Sequence, residues 1–122
     1  MMKLFILLGS LNAFLSVALG AFGAHYLKQK LTADKLEVFH TGVQYHMIHA
    51  IGLIVIALLA EKLGNSSLVN ASGWAIFIGI ILFSGSLYAL SLTGLKFFGP
   101  ITPLGGVSFL VGWVLLAIAA LK

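Results

Sequence analysis

From Leu4 to Ala24 the chain runs 21 residues without a formal charge, and between Lys62 and Lys96 it runs uncharged again. At about 1.5 Å of rise per helical residue, such a run covers roughly the 30 Å of a bilayer's hydrocarbon. Backbone polar groups find no water there, so a segment that crosses must close its own hydrogen bonds as a helix or join a closed barrel. The runs lack the period-2 alternation of barrel strands, which leaves helices. The fold class predicted is an all-α membrane protein, a four-transmembrane-helix bundle in a single domain spanning 1–122. Its helices are expected at about 4–25, 43–61, 71–93 and 104–121. Glu61, Lys62, Gly64 and Asn65 supply the turn after the second helix, and Asn70 and Ser72 lead into the third. Gly99, Pro100, Ile101, Thr102 and Pro103 form either a plain turn before the fourth or an unwound helix start.

Composition narrows the function classes. With 61% apolar and 8% charged residues in 122, the chain has too little polar surface for a small soluble domain. There is no Cys, which removes thiol catalysis and zinc fingers. A pI near 9.6 suggests nucleic acid, but the chain has no Arg and no basic face clear of the membrane boundary, so no nucleic-acid partner is expected. The lysines are assigned to lipid phosphates, making membrane lipids the expected partners. Four spans put both termini on one side with Lys3, Lys62 and Lys122, against Lys28, Lys30, Lys35 and Lys96 opposite. That small bias places the termini outside the cytoplasm.

Five of the ten formal charges, Lys28, Lys30, Asp34, Lys35 and Glu37, fall within ten residues. Thr32 is a candidate N-cap, with Asp34 in the first turn behind it. Leu36, Phe39, Val43 and Met47 then mark one apolar face. Residues 32–42 are therefore expected to form a short amphipathic interfacial helix between helices 1 and 2, or else the protruding first turns of a longer second helix.

The direction of each span brings the polar residues to one membrane face. His25 ends the first helix there, and Gln44, Tyr45, His46 and His49 open the second. Ser84, Ser86 and Tyr88 lie where the third returns, and Thr102 where the fourth departs. These nine residues are the candidate ligand-binding pocket, with no catalytic residue assigned. His46 and His49, at i, i+3 spacing, could join His25 as metal or haem ligands, although no intramembrane carboxylate supports such a site. The bland reading is that interfacial His and Tyr bond serines, backbone and headgroups. Asn12, deep in the first helix, is expected to make an interhelical hydrogen bond. Trp74 and Trp113 are read as an interfacial anchor and a lipid-facing or packed residue, neither beside the chemistry. Ser16/Gly20/Ala24, Gly85/Ala89 and Ser108/Gly112 form small-residue ridges, for packing within the bundle or in a homo-oligomer.

Four segments carry a family resemblance: Gly20–His25, Thr41–Ala50, Phe83–Tyr88 and Gly99–Gly106. In this order they resemble the small bacterial inner-membrane proteins of the YgdD/YwdK type, domain-of-unknown-function family 423. The resemblance covers essentially the whole chain and implies a bacterial plasma membrane and a four-helix fold. It brings no activity, cofactor or catalytic residue with it. Tyr26 stands where the family pattern leads one to expect Gly. The reading that follows is a membrane protein, leaning non-enzymatic, that binds a lipid headgroup or small ligand in a one-sided polar pocket, with no cofactor identified. Its alternatives are a His-ligated metal or haem site and an oligomeric transporter or channel.

Overall fold

The computed structural model describes residues 2–64 and 67–122. Four helices are long and apolar enough to cross a membrane: α1 (Met2–Lys30), α2 (Ala33–Lys62), α3 (Ser67–Thr93), and a fourth within Lys96–Leu121 whose α-helical part, α4, is Ile101–Leu121. Asn65, predicted in the turn after α2, lies outside the described residues. α3 starts at Ser67, ahead of the predicted Asn70–Ser72 lead-in. Among the described residues there is no strand.

α1 does not stop at His25. It passes through a π-helical turn, Gly23–Leu27, and ends only at Leu31, which is extended. Lys28, Gln29 and Lys30 are sound helix formers once outside hydrocarbon, so leaving the membrane is no reason to end the helix. Thr32 then caps α2, its hydroxyl oxygen accepting from the Lys35 amide at 3.4 Å.

The separate interfacial helix is not what forms. Residues 33–62 make one uninterrupted helix of 30 residues, about 45 Å long, so its first turns stand clear of the hydrocarbon. Nothing between Leu36 and Val43 breaks it. The Thr41 hydroxyl donates to the Glu37 carbonyl one turn back at 3.0 Å, and Gly42 is buried against the Tyr88 ring. At the far end, Lys96–Phe98 form a 3-10 turn, Pro100 is the cap of α4, and Pro103 falls in the first turn, where a missing N–H costs nothing. This is the plain-turn alternative.

Packing places α2 and α3 in the middle. α1 lies mainly against α2, and α4 mainly against α3. The small-residue ridges serve these seams: Ser16 is buried at Met47, Gly20 faces Val43, and Ser108 donates to the Ala75 carbonyl at 2.6 Å. Gly85 stays open, with nothing within 4 Å of where a Cβ would stand.

The interior is zoned along the membrane normal. Phe5, Leu53, Ile56, Ile76 and Ala119 belong to an apolar core in the half nearer the termini. The other half is held by side-chain hydrogen bonds. α3 ends on Gly94, at φ +73°, whose N–H closes on the Leu90 carbonyl at 2.8 Å. A Cβ is costly in that left-handed conformation, so Gly94→Ala should lose about 1 kcal/mol. Thermal unfolding in detergent would register the loss, and an unchanged midpoint would mean that α3 ends differently.

Candidate functional site

His46 lies at the centre of a hydrogen-bonded chain through three helices. Asn12 of α1 donates its amide N–H to the Leu8 carbonyl at 2.8 Å, which turns its oxygen toward α2. That oxygen lies 2.8 Å from His46 Nε2, and His46 Nδ1 lies 2.8 Å from the Tyr88 hydroxyl of α3. An amide oxygen only accepts, so Nε2 carries the proton and, in the neutral ring, Nδ1 accepts from Tyr88. Ser84 strengthens the α2–α3 seam beside it, donating to the Gly42 carbonyl at 2.8 Å.

His49 faces the other way, toward α4. Trp113 donates its indole N–H to His49 Nε2 at 3.0 Å, and His49 Nδ1 lies 2.8 Å from the Tyr45 carbonyl. Indole is a donor only, so here the proton sits on Nδ1, the opposite tautomer to His46. The ring also stacks on Phe109, with centroids 3.6 Å apart and planes 9° from parallel. Trp113, expected away from the chemistry, thus supplies a polar partner for His49. Its signal was invisible in sequence, because nothing about a lone Trp in an apolar helix says which way its N–H points.

These bonds bear on the metal alternative. Each of the two buried imidazoles offers one lone pair, and each lone pair is already taken, by Tyr88 or by Trp113. His25 is exposed on the π-helical turn of α1, apart from the buried pair. Among the described residues no three His, Cys, Asp or Glu stand together as a metal site would need. Gln44 is exposed, and Tyr45 is 40% exposed with its ring 4.8 Å from Phe83. Tyr26, the departure from the family pattern, is also outside, stacked on Phe22 at 5.1 Å, and the helix continues through it.

Six of the nine candidates, His46, His49, Ser84, Ser86, Tyr88 and Thr102, therefore take part in bonds between helices. One of these joins α3 to α4: Ser86 and Thr102 hydroxyls are 2.6 Å apart, and Ser86 also donates to the Phe83 carbonyl at 2.9 Å. Ser86 has one proton, so both contacts hold together only if Thr102 donates to Ser86. The pair then offers unused lone pairs and no proton.

Beside it a groove of about 330 Å³ opens between α3 and the start of α4, lined by Ile81, Leu82, Gly85, Ser86, Phe98 and Ile101. Two of its lining residues, Ile81 and Leu82, belong to a second π-helical turn of α3, Ile80–Ser84, whose backbone at Phe83 rests against Gly105 of α4 with no room for a Cβ. Ser86 is thus the sequence candidate that lines this groove, and Thr102 is tied to it through the hydroxyl pair. His46, His49, Ser84 and Tyr88 serve as internal ties.

The profile of the family described as "Protein of unknown function (DUF423)" matches residues 19–106. The chain is similar to the UPF0382 membrane protein YwdK of Bacillus subtilis (strain 168), with 56% identity over 99% of this chain and 98% of that protein. It is similar to a UPF0382 membrane protein of Staphylococcus epidermidis (strain ATCC 12228 / FDA PCI 1200) at 49% identity, covering 99% of this chain and 98% of the relative. A UPF0382 membrane protein of Staphylococcus aureus (strain bovine RF122 / ET3-1) is 50% identical over the same shares. No solved structure matches the chain.

Proposed function

The chain belongs to the DUF423 family, and its relatives described above are named as membrane proteins; on that premise we propose that it is a non-enzymatic binder of a lipid head or a similar small amphiphile. The site is the groove between α3 and α4, at the end of the bundle that carries the α1–α2 and α3–α4 connections. One observation carries this reading: Ser86, bonded to Thr102, is the one polar side chain lining a groove whose other walls are apolar side chains and Gly85. A ligand with a hydroxyl or amine head and a hydrocarbon tail satisfies both at once. In this reading the protein resides in a bacterial plasma membrane with its termini away from the cytoplasm, as the four lysines on the connection side favour.

Gly85 supplies the test. A Cβ placed there meets no neighbour within 4 Å, and Gly85 itself lines the groove. Gly85→Leu should therefore occupy the ligand's place without strain, and gains roughly 0.8–1 kcal/mol of helix propensity. Native mass spectrometry of protein extracted from membranes should find an amphiphile on the wild type and about tenfold less on Gly85→Leu, a change of about 1.4 kcal/mol. Thermal stability should hold or rise. Equal retention by the two proteins would end the proposal.

A further inference from the structure

The groove at Ser86 sits at a definite depth. Counted from the uncharged start of α3 at Ser67, Ser86 stands about 28 Å along the helix, at the edge of roughly 30 Å of hydrocarbon. The start of α4 meets it there, because its hydroxyl partner Thr102 is the second residue of that helix.

The protons of the site are all committed. Ser86 is 4% exposed, and its single proton goes to the Phe83 carbonyl. One of its two lone pairs receives the Thr102 proton. What the side chain has left for the groove is one acceptor position and no donor. The other lining residues, Ile81, Leu82, Gly85, Phe98 and Ile101, bring neither a side-chain donor nor a charge. Lys96, the nearest cation in sequence, is exposed and does not line the groove.

Lipid heads differ sharply in how they meet that inventory. A phosphate offers only acceptors, and no lining lysine balances its charge. An ammonium can donate, but it needs a carboxylate or several acceptors in place of its water, and the groove lining supplies neither. A choline has no N–H to give. An uncharged hydroxyl gives its one proton to the free lone pair of Ser86 and leaves no charge unpaired, and at this depth water from the headgroup layer still reaches its oxygen. On the reading that this groove holds an amphiphile, we infer that its ligand is a lipid whose whole head is a single uncharged hydroxyl, and that lipids with charged heads are turned away.

Hexadecanol, hexadecylamine and hexadecyl phosphate share a tail and differ only in the head. Offered in equal amounts at pH 8 to the full chain in detergent micelles, they test this by native mass spectrometry of retained ligand. The wild type should retain about tenfold more alcohol than either charged amphiphile, the worth of one hydrogen bond. Dioleoylglycerol added to the mixture identifies the source of the hydroxyl, a single-chain or a two-chain lipid, as whichever of the two alcohols is retained more. Ser86→Ala should bring the three matched heads to parity. Thr102→Val breaks the same interhelical bond but frees a second lone pair on Ser86, so it should keep or raise the preference for the alcohol. Equal loss of preference in both variants would mean that the pair only holds α3 to α4, and a preference that survives Ser86→Ala would place the hydroxyl elsewhere; either result overturns the inference. Gly85→Leu separates it from the reading beneath it. If that variant retains all the amphiphiles as the wild type does, the groove is not where they bind, and the reading itself fails. If it sheds them while the wild type holds alcohol, amine and phosphate equally, the groove takes a tail without choosing its head, and only the hydroxyl assignment is lost.

Discussion

Gly105→Ala should separate α3 from α4. The new methyl group would fall on the Phe83 backbone, at the π-helical turn, and also on the Leu82 carbonyl carbon at 2.7 Å. A flexible side chain could move aside, but a helix backbone can yield only by shifting a whole seam. The cost should therefore reach the upper range for overpacking, about 3 kcal/mol. Gly106→Ala, one residue on, is the control, because its methyl would meet Phe83 Cδ1 at an ordinary 3.8 Å. Unfolding in mixed micelles with rising denaturing detergent should separate the two variants clearly. Equal midpoints would mean that α3 and α4 do not touch where described.

His46→Leu should be nearly as damaging, for a different reason. An interhelical hydrogen bond in a membrane protein averages only about 0.6 kcal/mol, so two lost bonds would predict a mild defect. Orphaning dominates instead. Without the ring, the Asn12 oxygen and the Tyr88 hydroxyl lose their partners inside the bundle, at about 1–3 kcal/mol each, for an expected total of about 3 kcal/mol. If so, Tyr88→Phe and Asn12→Leu added to His46→Leu should restore much of the stability, since replacing all partners by apolar groups leaves nothing unsatisfied. Additive losses across the same series would show that the chain of bonds has no cooperative role.

Much of the architecture was legible because its cause is one-dimensional. Uncharged runs as long as Leu4–Ala24 require spans, and Thr32 followed by Asp34 marks a helix start that the structure places there. The lone amide of Asn12 announced an interhelical partner, which proves to be His46. Charge does not mark where helices end here: Lys28–Lys30 stay helical beyond the expected end of the first span, and Asp34–Glu37 belong to one long second helix rather than to a separate interfacial piece.

The site was legible only as a gathering of residue types. Whether hydroxyls and imidazoles line a cavity or consume one another depends on angles and separations near 3 Å, which spacing does not encode. His49 illustrates the gap. Its sequence neighbours suggested a pairing with His46, whereas its bonds go to the Tyr45 carbonyl and to Trp113, 64 positions away. The π-helical turns had no local signature either, since the turn at Ile80–Ser84 answers to a notch at Gly105 on another helix.

That turn sets the phase of everything after it. A π turn holds one residue more than the α-helix would use, so the two halves of α3 are rotated by about 100° relative to an unbroken helix. The earlier half turns Gly73 to Phe5 of α1 and Gly79 to Phe109 of α4, and the later half turns Ser84 and Tyr88 to α2. A single rod-like span thereby addresses all three neighbours, each with the surface it needs. Indels within residues 80–84 should be tolerated far less than conservative replacements there, because removing one residue would swing Tyr88 off its imidazole without altering any side chain in the seam.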